Sequence, residues 1–335
     1  MRPFEHVSAA TPTEALAQLG TTSTEYASAS ARIIAGGTDL LPLMKEGLAA
    51  PARLIDLKPA RALRHITVGA GGGLNLGALA TLADIERDPT IAEHYPILRA
   101  AVREAATPQL RNAATLGGNL LQRNRCWYFR GEPHCWLKGG DTCFARAGRN
   151  DHHAILGAEG APCVAVNPSD VAPALVALDA TVAIEGPRGE RMVSVAELLQ
   201  APTADARIEH RLAPDELIVA ISLPPQPEGA RGVYLKVMER AAWSFALASA
   251  AAQVTLRAGR VEQARLVLGG VAPVPWRVRE AEELVEGQAL TPELAAQAAD
   301  RLVAGAAPLA HNAYKVRLAR ELARRALLAA GESAQ

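Results

Sequence analysis

All four cysteines of this 335-residue chain, Cys126, Cys135, Cys143 and Cys163, fall in one stretch, NRCWYFRGEPHCWLKGGDTCFARAGRNDHHAILGAEGAPC. Thiolates gathered in this way read as one metal site, and four is the full ligand set of a [4Fe-4S] cluster. The intervals of 8, 7 and 19 residues contain no C-x2-C pair. That weakens a zinc ribbon or finger without removing zinc, and two disulfides would also use every cysteine. Trp127, Tyr128, Phe129, Trp136 and Phe144 place five of the chain's thirteen aromatic residues in the same stretch. Such rings would shield a cluster from water, or pack an irregular insert against its domain. His134, His152 and His153 could ligate as well, but beside a complete cysteine set they read as surface or hydrogen-bonding histidines.

Two glycine pairs offer a second kind of chemistry: AGGTD at Ala35 to Asp39, and ATLGGN at Ala114 to Asn119. Neither fits G-x-G-x-x-G or a P-loop, so a classical dinucleotide or Walker site is not expected. Glycine nevertheless lets backbone N–H groups approach a pyrophosphate closely, with Thr38, Thr115 and Asn119 as added donors. Taken singly, each pair reads first as a tight turn. The sequence presents no general acid/base pair and no Ser-His-Asp constellation, so no catalytic residue is assigned. That suits a protein whose chemistry is carried by cofactors.

These groups need elements to hold them. Thr11, Pro12 and Glu14 mark a helix start, with Gly20 at its expected stop. Ile33 and Ile34 form a strand entering the first glycine pair, and RLIDL at Arg53 to Leu57 forms a second. HITVGAGGGLNLGAL reads as a hairpin turning at Gly71 to Gly73. Pro96 opens a helix with Leu98, Val102 and Ala105 at helical spacing, expected to run up to Pro108. After the cysteines come a helical turn and strand in NPSDVAPALVALDATVAIEG, a turn at GPRGE into RMVSV, and the strand DELIVAISL. Pro224, Pro225 and Pro227 forbid helix or central strand and mark a domain boundary. GVYLKVMER, SFALASAAAQVTLRAG and RVEQARLVLGGVA then form an antiparallel meander, and 277–328 is helical. The last helix should dock a stripe of Tyr314, Leu318, Leu322 and Ala326 on that sheet. Strands followed by helices without regular alternation indicate an α+β fold.

Charge excludes some partners. With 35 basic and 35 acidic residues the formal charge is zero, so neither nucleic acid nor an anionic membrane is expected to bind. MRPFEHVSAATPTEALAQLG has no apolar signal core, and no apolar run approaches the ~20 residues of a membrane span. A soluble chain without its own export signal is expected, with no membrane insertion. Length indicates two or three domains at ~100–200 residues each.

IIAGGTDLLP, TPQLRNAATLGGNL, NPSDVAPALVALDATV, LVLGGVAPVPWR and NAYKVRLA resemble, in order and spacing, the FAD-binding medium subunits of the molybdenum hydroxylases, over nearly the whole chain. Most members pass almost directly from the second glycine motif to PSD. The cysteine insert here resembles that of the aldehyde oxidoreductase type, whose FAD subunit carries an additional [4Fe-4S] cluster.

The resemblance implies a para-cresol methylhydroxylase-type FAD-binding domain over 1–225, with subdomains about 1–56 and 57–225 and an iron-sulfur insert at 123–165. A carbon monoxide dehydrogenase flavoprotein C-terminal domain would follow over 229–331. It further implies that Ala35, Gly36, Gly37, Thr38 and Asp39, with Thr115, Gly117, Gly118 and Asn119, cradle the FAD pyrophosphate through backbone amides. Asp170 would bond the ribose or adenosine end, Ile218 would pack on the adenine region, Lys236 would reach the flavin, and Phe245 would lie near its ring. Cys126, Cys135, Cys143 and Cys163 would hold the [4Fe-4S] cluster. The implied partners are a large molybdenum-cofactor subunit and a small [2Fe-2S] subunit, with electrons passing to an external acceptor. Trp243 and Ser244 stand where xanthine dehydrogenase has acidic residues, so oxygen, a quinone or a protein is expected rather than NAD. The compartment expected is cytoplasmic, or periplasmic by co-export with a partner carrying a twin-arginine signal. A self-sufficient flavin oxidase of the same fold and a zinc-stapled scaffold are the competing readings.

Overall fold

The computed structural model describes residues 1–19, 30–69, 71–240 and 243–332. Three sheets organise them. In the first, β1 (Glu5–Ser8), β2 (Ala31–Ile34) and β3 (Arg53–Asp56) run parallel in the order β1-β3-β2. The second is antiparallel, in the order β4-β5-β8-β6-β7: β4 (Ile66–Val68), β5 (Leu74–Gly77), β6 (Thr181–Gly186), β7 (Gly189–Ser194) and β8 (Leu217–Leu223). The third, also antiparallel, is β12-β11-β10-β9, from β9 (Ala230–Val237), β10 (Ala248–Arg257), β11 (Arg260–Gly269) and β12 (Trp276–Arg277). The architecture is α+β.

The third sheet begins just beyond the proline stretch and is covered on both faces. Along β10, Ala248, Ala250, Ala252 and Val254 face a core shared with helices Pro292–Val303 and Tyr314–Gly331, while Ala251 joins the core of the second sheet. Period-two alternation between two apolar environments explains why this strand reads as an unbroken run of small apolar residues. Helix Pro96–Glu104 lies at the junction, burying Ile97, Leu98, Ala101 and Val102 in the same core as Tyr234 of β9.

Two sequence expectations need correction. The helix from Pro96 ends at Glu104, ahead of Pro108, because Ala106 turns left-handed (φ 53°) and Thr107 caps a new turn, Pro108–Arg111. In the final helix the buried stripe is Lys315, Ala319, Leu322, Ala323, Ala326, Leu327 and Ala330, with Tyr314 exposed and Leu318 only partly buried. A lysine holds the position that apolar periodicity assigns to a hydrophobe. The hairpin turn at Gly71 to Gly73 and the helix Pro12–Leu19 form as read. Gly20 lies outside the described residues.

Candidate functional site

The first glycine turn leaves the C-terminal end of β2, the side on which parallel sheets receive ligands. A Cβ on Gly36 would lie 1.9 Å from the Ala113 carbonyl oxygen, so this glycine is where the two turns touch. Gly37 is required by conformation instead, with φ +72°. The second turn is tied to the loop after β5: Leu116 N–H donates to Ala80 O (2.9 Å) and Gly117 N–H to Ala78 O (3.0 Å). Thr115 accepts from Asn119 N–H at its carbonyl (2.8 Å) and from Gly118 N–H at its hydroxyl (3.3 Å). No acceptor among the described residues meets the amides of Gly36, Gly37 or Thr38. The first turn therefore presents backbone donors and the second braces it.

Both turns open on a cleft of about 1300 Å³. That exceeds the ~300–1,000 Å³ of most small-ligand pockets and suits an elongated dinucleotide. Ala35 to Asp39, Thr115, Gly117, Gly118, Asn119 and Ile218 all line it, Ile218 from β8. The cysteine segment supplies Arg123, Arg125, Phe129 and His134 to the cleft wall.

Asp39 joins cleft to segment. Its carboxylate accepts from Arg123 N–H (2.8 Å) and from the guanidinium groups of Arg125 and Arg130 (2.8 Å each). Arg125 continues across to lie 4.8 Å over the Phe245 ring. Burial lowers the Arg125 pKa while Asp39 opposes the shift. Deeper still, Arg123 pairs with Glu209 at 2.6 Å, and Glu209 also accepts from Asn124 Nδ2 at 2.6 Å. Both members of this pair are buried. Removing one charge of a buried pair typically costs ~3–5 kcal/mol, and the surviving Asn124 bond places Glu209→Gln near the lower end. Glu209→Gln is thus expected to lose about 3 kcal/mol, read as a lower urea midpoint at unchanged m-value.

All four cysteines border one small void behind this wall, and none is disulfide-bonded. Among the described residues no three His, Cys, Asp or Glu side chains are grouped tightly enough to hold a single metal ion. Phe129, Trp136, Leu137, Cys135 and Cys163 share one apolar cluster, while Phe144 is 39% exposed. Burial pushes the Cys126 thiol up to about 11 against the amides of Phe129 and Tyr128, and the Cys163 thiol up to about 12. Each of these two thiols is raised further by neighbouring cysteines, so the four form one electrostatic group. Thiols so buried are poor anions until a cation neutralises them. Their convergence within an apolar shell fits an iron-sulfur cluster.

Asp170 and Phe245 line a separate pocket of about 170 Å³ that adjoins Cys126, and Arg125 borders both this pocket and the large cleft. Lys236 lines neither; its Nζ donates to Asp170 Oδ2 and to Glu104 O, at 2.8 Å each. Tyr234 OH donates to the other Asp170 oxygen at 2.9 Å. The contacts that the resemblance assigns to the two ends of a cofactor thus form one buried ion pair. Strand register is the reason: Tyr234 and Lys236 are on the same face of β9, turned toward the helix that follows Asp170. Burial raises the Asp170 pKa, with Lys236 pulling the other way. Ser169 Oγ, 2.5 Å from Asn119 Oδ1, links this pair back to the second glycine turn.

Residues 2–226 match the FAD binding domain in molybdopterin dehydrogenase, and 233–330 match the CO dehydrogenase flavoprotein C-terminal domain. The chain belongs to the molybdopterin dehydrogenase FAD-binding family. It is 41% identical over 295 residues to the aldehyde oxidoreductase FAD-binding subunit PaoB of Escherichia coli (strain K12), covering 87% of this chain and 88% of that one. It is 28% identical over 331 residues to the carbon monoxide dehydrogenase medium chain of Hydrogenophaga pseudoflava, covering 98% and 96%. A solved carbon monoxide dehydrogenase from that organism superposes with a TM-score of 0.77 at 26% identity, over 98% of this chain and 97% of the other. Quinoline 2-oxidoreductase from Pseudomonas putida 86 superposes with 0.76 at 25% identity, over 98% and 97%. Like the relatives named as an aldehyde oxidoreductase FAD-binding subunit and a carbon monoxide dehydrogenase medium chain, this family member is an oxidoreductase subunit. No helix among its described residues is long and apolar enough to cross a membrane.

Within this family chain the NAYK motif clamps the cysteine segment to the C-terminal domain. Lys315 Nζ donates to His152 O (3.1 Å), His153 O (3.0 Å) and Gly270 O (2.7 Å), and burial pulls its ammonium down to about 7. Asn312 Nδ2 donates to the carbonyls of His153 and Ala154. Sequence reading missed Arg123, Arg125, Arg130, Glu209 and Lys315, whereas it named His153 as a surface or hydrogen-bonding histidine. The signals available were the three arginines flanking Cys126 and a lysine inside an apolar stripe.

Burial holds both His153 and His210 down at about 4, so each is neutral in the folded chain near neutral pH. Between about 4 and 6.5 the unfolded chain binds protons that the folded chain does not, so stability rises with pH and is lost on acidification. At 1.36 kcal/mol per unit the ceiling is about 3 kcal/mol per histidine. Denaturant midpoints at about pH 7 and about pH 5 should show the drop, and His210→Asn should reduce it.

Proposed function

We propose that this chain is the FAD- and [4Fe-4S]-carrying electron-transfer subunit of a heterotrimeric molybdenum hydroxylase that oxidises aldehydes. In this reading, electrons arrive from [2Fe-2S] clusters on a small partner after oxidation of the substrate on a large molybdenum subunit, and leave for an external acceptor. The observation that carries the proposal is the shared wall: a dinucleotide-sized cleft with open glycine amides lies directly against four converging cysteines, joined through Asp39 and Arg125.

FAD, when bound, supplies a carrier that takes electrons singly and releases them in pairs. A [4Fe-4S] cluster, when bound, supplies a one-electron site. The chain's own residues bind and orient these groups. Gly36, Gly37 and Thr38 aim backbone donors at a pyrophosphate, and Ile218 offers an apolar surface in the same cleft. Arg125 fixes a positive charge between cleft and pocket. Phe129, Trp136 and Leu137 keep water from the thiolates.

Expressed alone, the chain should bind FAD yet fail to oxidise aldehydes or N-heterocycles. Co-purified with a molybdenum subunit and a [2Fe-2S] subunit, its flavin should bleach when an aldehyde is added. Steady aldehyde oxidation by the isolated chain, at a rate comparable to the complex, would overturn the subunit reading.

A further inference from the structure

Cys126 differs from the other three cysteines. It borders both the void they share and the pocket lined by Arg125, Asp170 and Phe245. At that boundary stands His153, whose Nε2 is 3.2 Å from Cys126 Sγ. His153 is 2% exposed and is held through both its backbone and its ring. Its backbone N–H donates to Asn150 O at 3.0 Å, its carbonyl accepts from Asn312 and Lys315, and Trp127 packs edge-on at 5.1 Å. Nδ1 is buried without a hydrogen-bond partner. A sulfur bound to iron only accepts hydrogen bonds, so the hydrogen between the two residues belongs to Nε2 and the lone pair to Nδ1. The backbone bonds and the Trp127 contact together hold this ring against one thiol.

We propose that His153 is a positioning residue of the cysteine site: it donates Nε2–H to Cys126 Sγ and raises the reduction potential of the group bound there. The inference rests on the cluster reading above. Reduction adds negative charge to the cluster sulfurs, and a hydrogen bond to sulfur stabilises that added charge. The effect falls on the ligand that faces the second pocket, the side on which an electron would enter or leave.

The test uses the chain purified anaerobically with its native cofactors. Iron and sulfide analysis comes first, and an iron-free protein would sink the cluster reading and this inference with it. With iron present, an EPR-monitored redox titration should give a more negative midpoint for His153→Leu than for wild type. His153→Gln, whose side-chain amide can still donate, should return most of the shift. Pulsed EPR of the reduced wild-type protein carrying 15N-labelled histidine should detect a histidine nitrogen coupled to the cluster, a readout that needs no variant to fold. Absence of that coupling, or a His153→Leu midpoint equal to wild type at full iron content, would overturn the proposal while leaving the cluster in place.

Discussion

Gly36→Val is expected to give a folded chain that retains almost no FAD. The Ala113 carbonyl oxygen occupies the space a Cβ would need, at 1.9 Å; the oxygen is backbone and the Cβ position is set by backbone, so no rotamer change can clear the clash. The turns must separate, and the amides of Gly36, Gly37 and Thr38 lose their aim together. Losing two charge-assisted bonds at ~1.5–3 kcal/mol each weakens binding by roughly 100-fold or more, enough to strip flavin during purification. Gly37→Val should act similarly through its positive φ, and Gly118→Val through the Thr115 hydroxyl, 2.9 Å from where the new Cβ would sit. Flavin content measured against protein, with far-UV circular dichroism as the folding control, checks all three. Normal flavin stoichiometry would show that these are ordinary turns.

Cys135→Ser should remove or degrade the cluster while much of the FAD stays. Cys135 is buried in the apolar group with Phe129 and Trp136, and a serine oxygen is a far weaker ligand for iron than thiolate. The wild-type chain should carry four irons and four acid-labile sulfides, shown as a broad brown absorbance beneath resolved flavin bands. In the variant the brown background should fall and the flavin bands persist, because the glycine turns lie outside the insert. An undiminished cluster signal would mean that Cys135 is not a ligand, and zinc in place of iron after anaerobic purification would end the cluster claim.

Local features of this fold were legible in the sequence because each follows from a few adjacent residues. The glycine pairs, the Gly71 to Gly73 hairpin, the proline stretch and the cysteine cluster are of this kind. The pairings that organise the site were not. Arg123 meets Glu209, and Lys236 meets Asp170, across 66 residues in the second case, and no periodicity or motif announces such partners. The resemblance assigned Asp170 a cofactor contact, and nothing in its motif marks the strand register that brings Lys236 to it. Lys315 was hidden for the opposite reason. Helical periodicity assigns hydrophobes to a buried face, whereas this face bends the rule to meet three carbonyls.

The NAYK clamp also bears on the order in which the protein is made. Lys315 and the His153 carbonyl it holds are 162 residues apart. At ~5–20 residues per second, translation of the intervening chain takes roughly 10–30 s. All four thiols are synthesised before that interval ends, while the seam that fastens their segment to the C-terminal domain does not yet exist. Under the proposed cluster reading, iron loading that needs the closed segment waits until that interval is over, and during those seconds the cysteines depend on a reducing environment, or on an escort, to stay unoxidised.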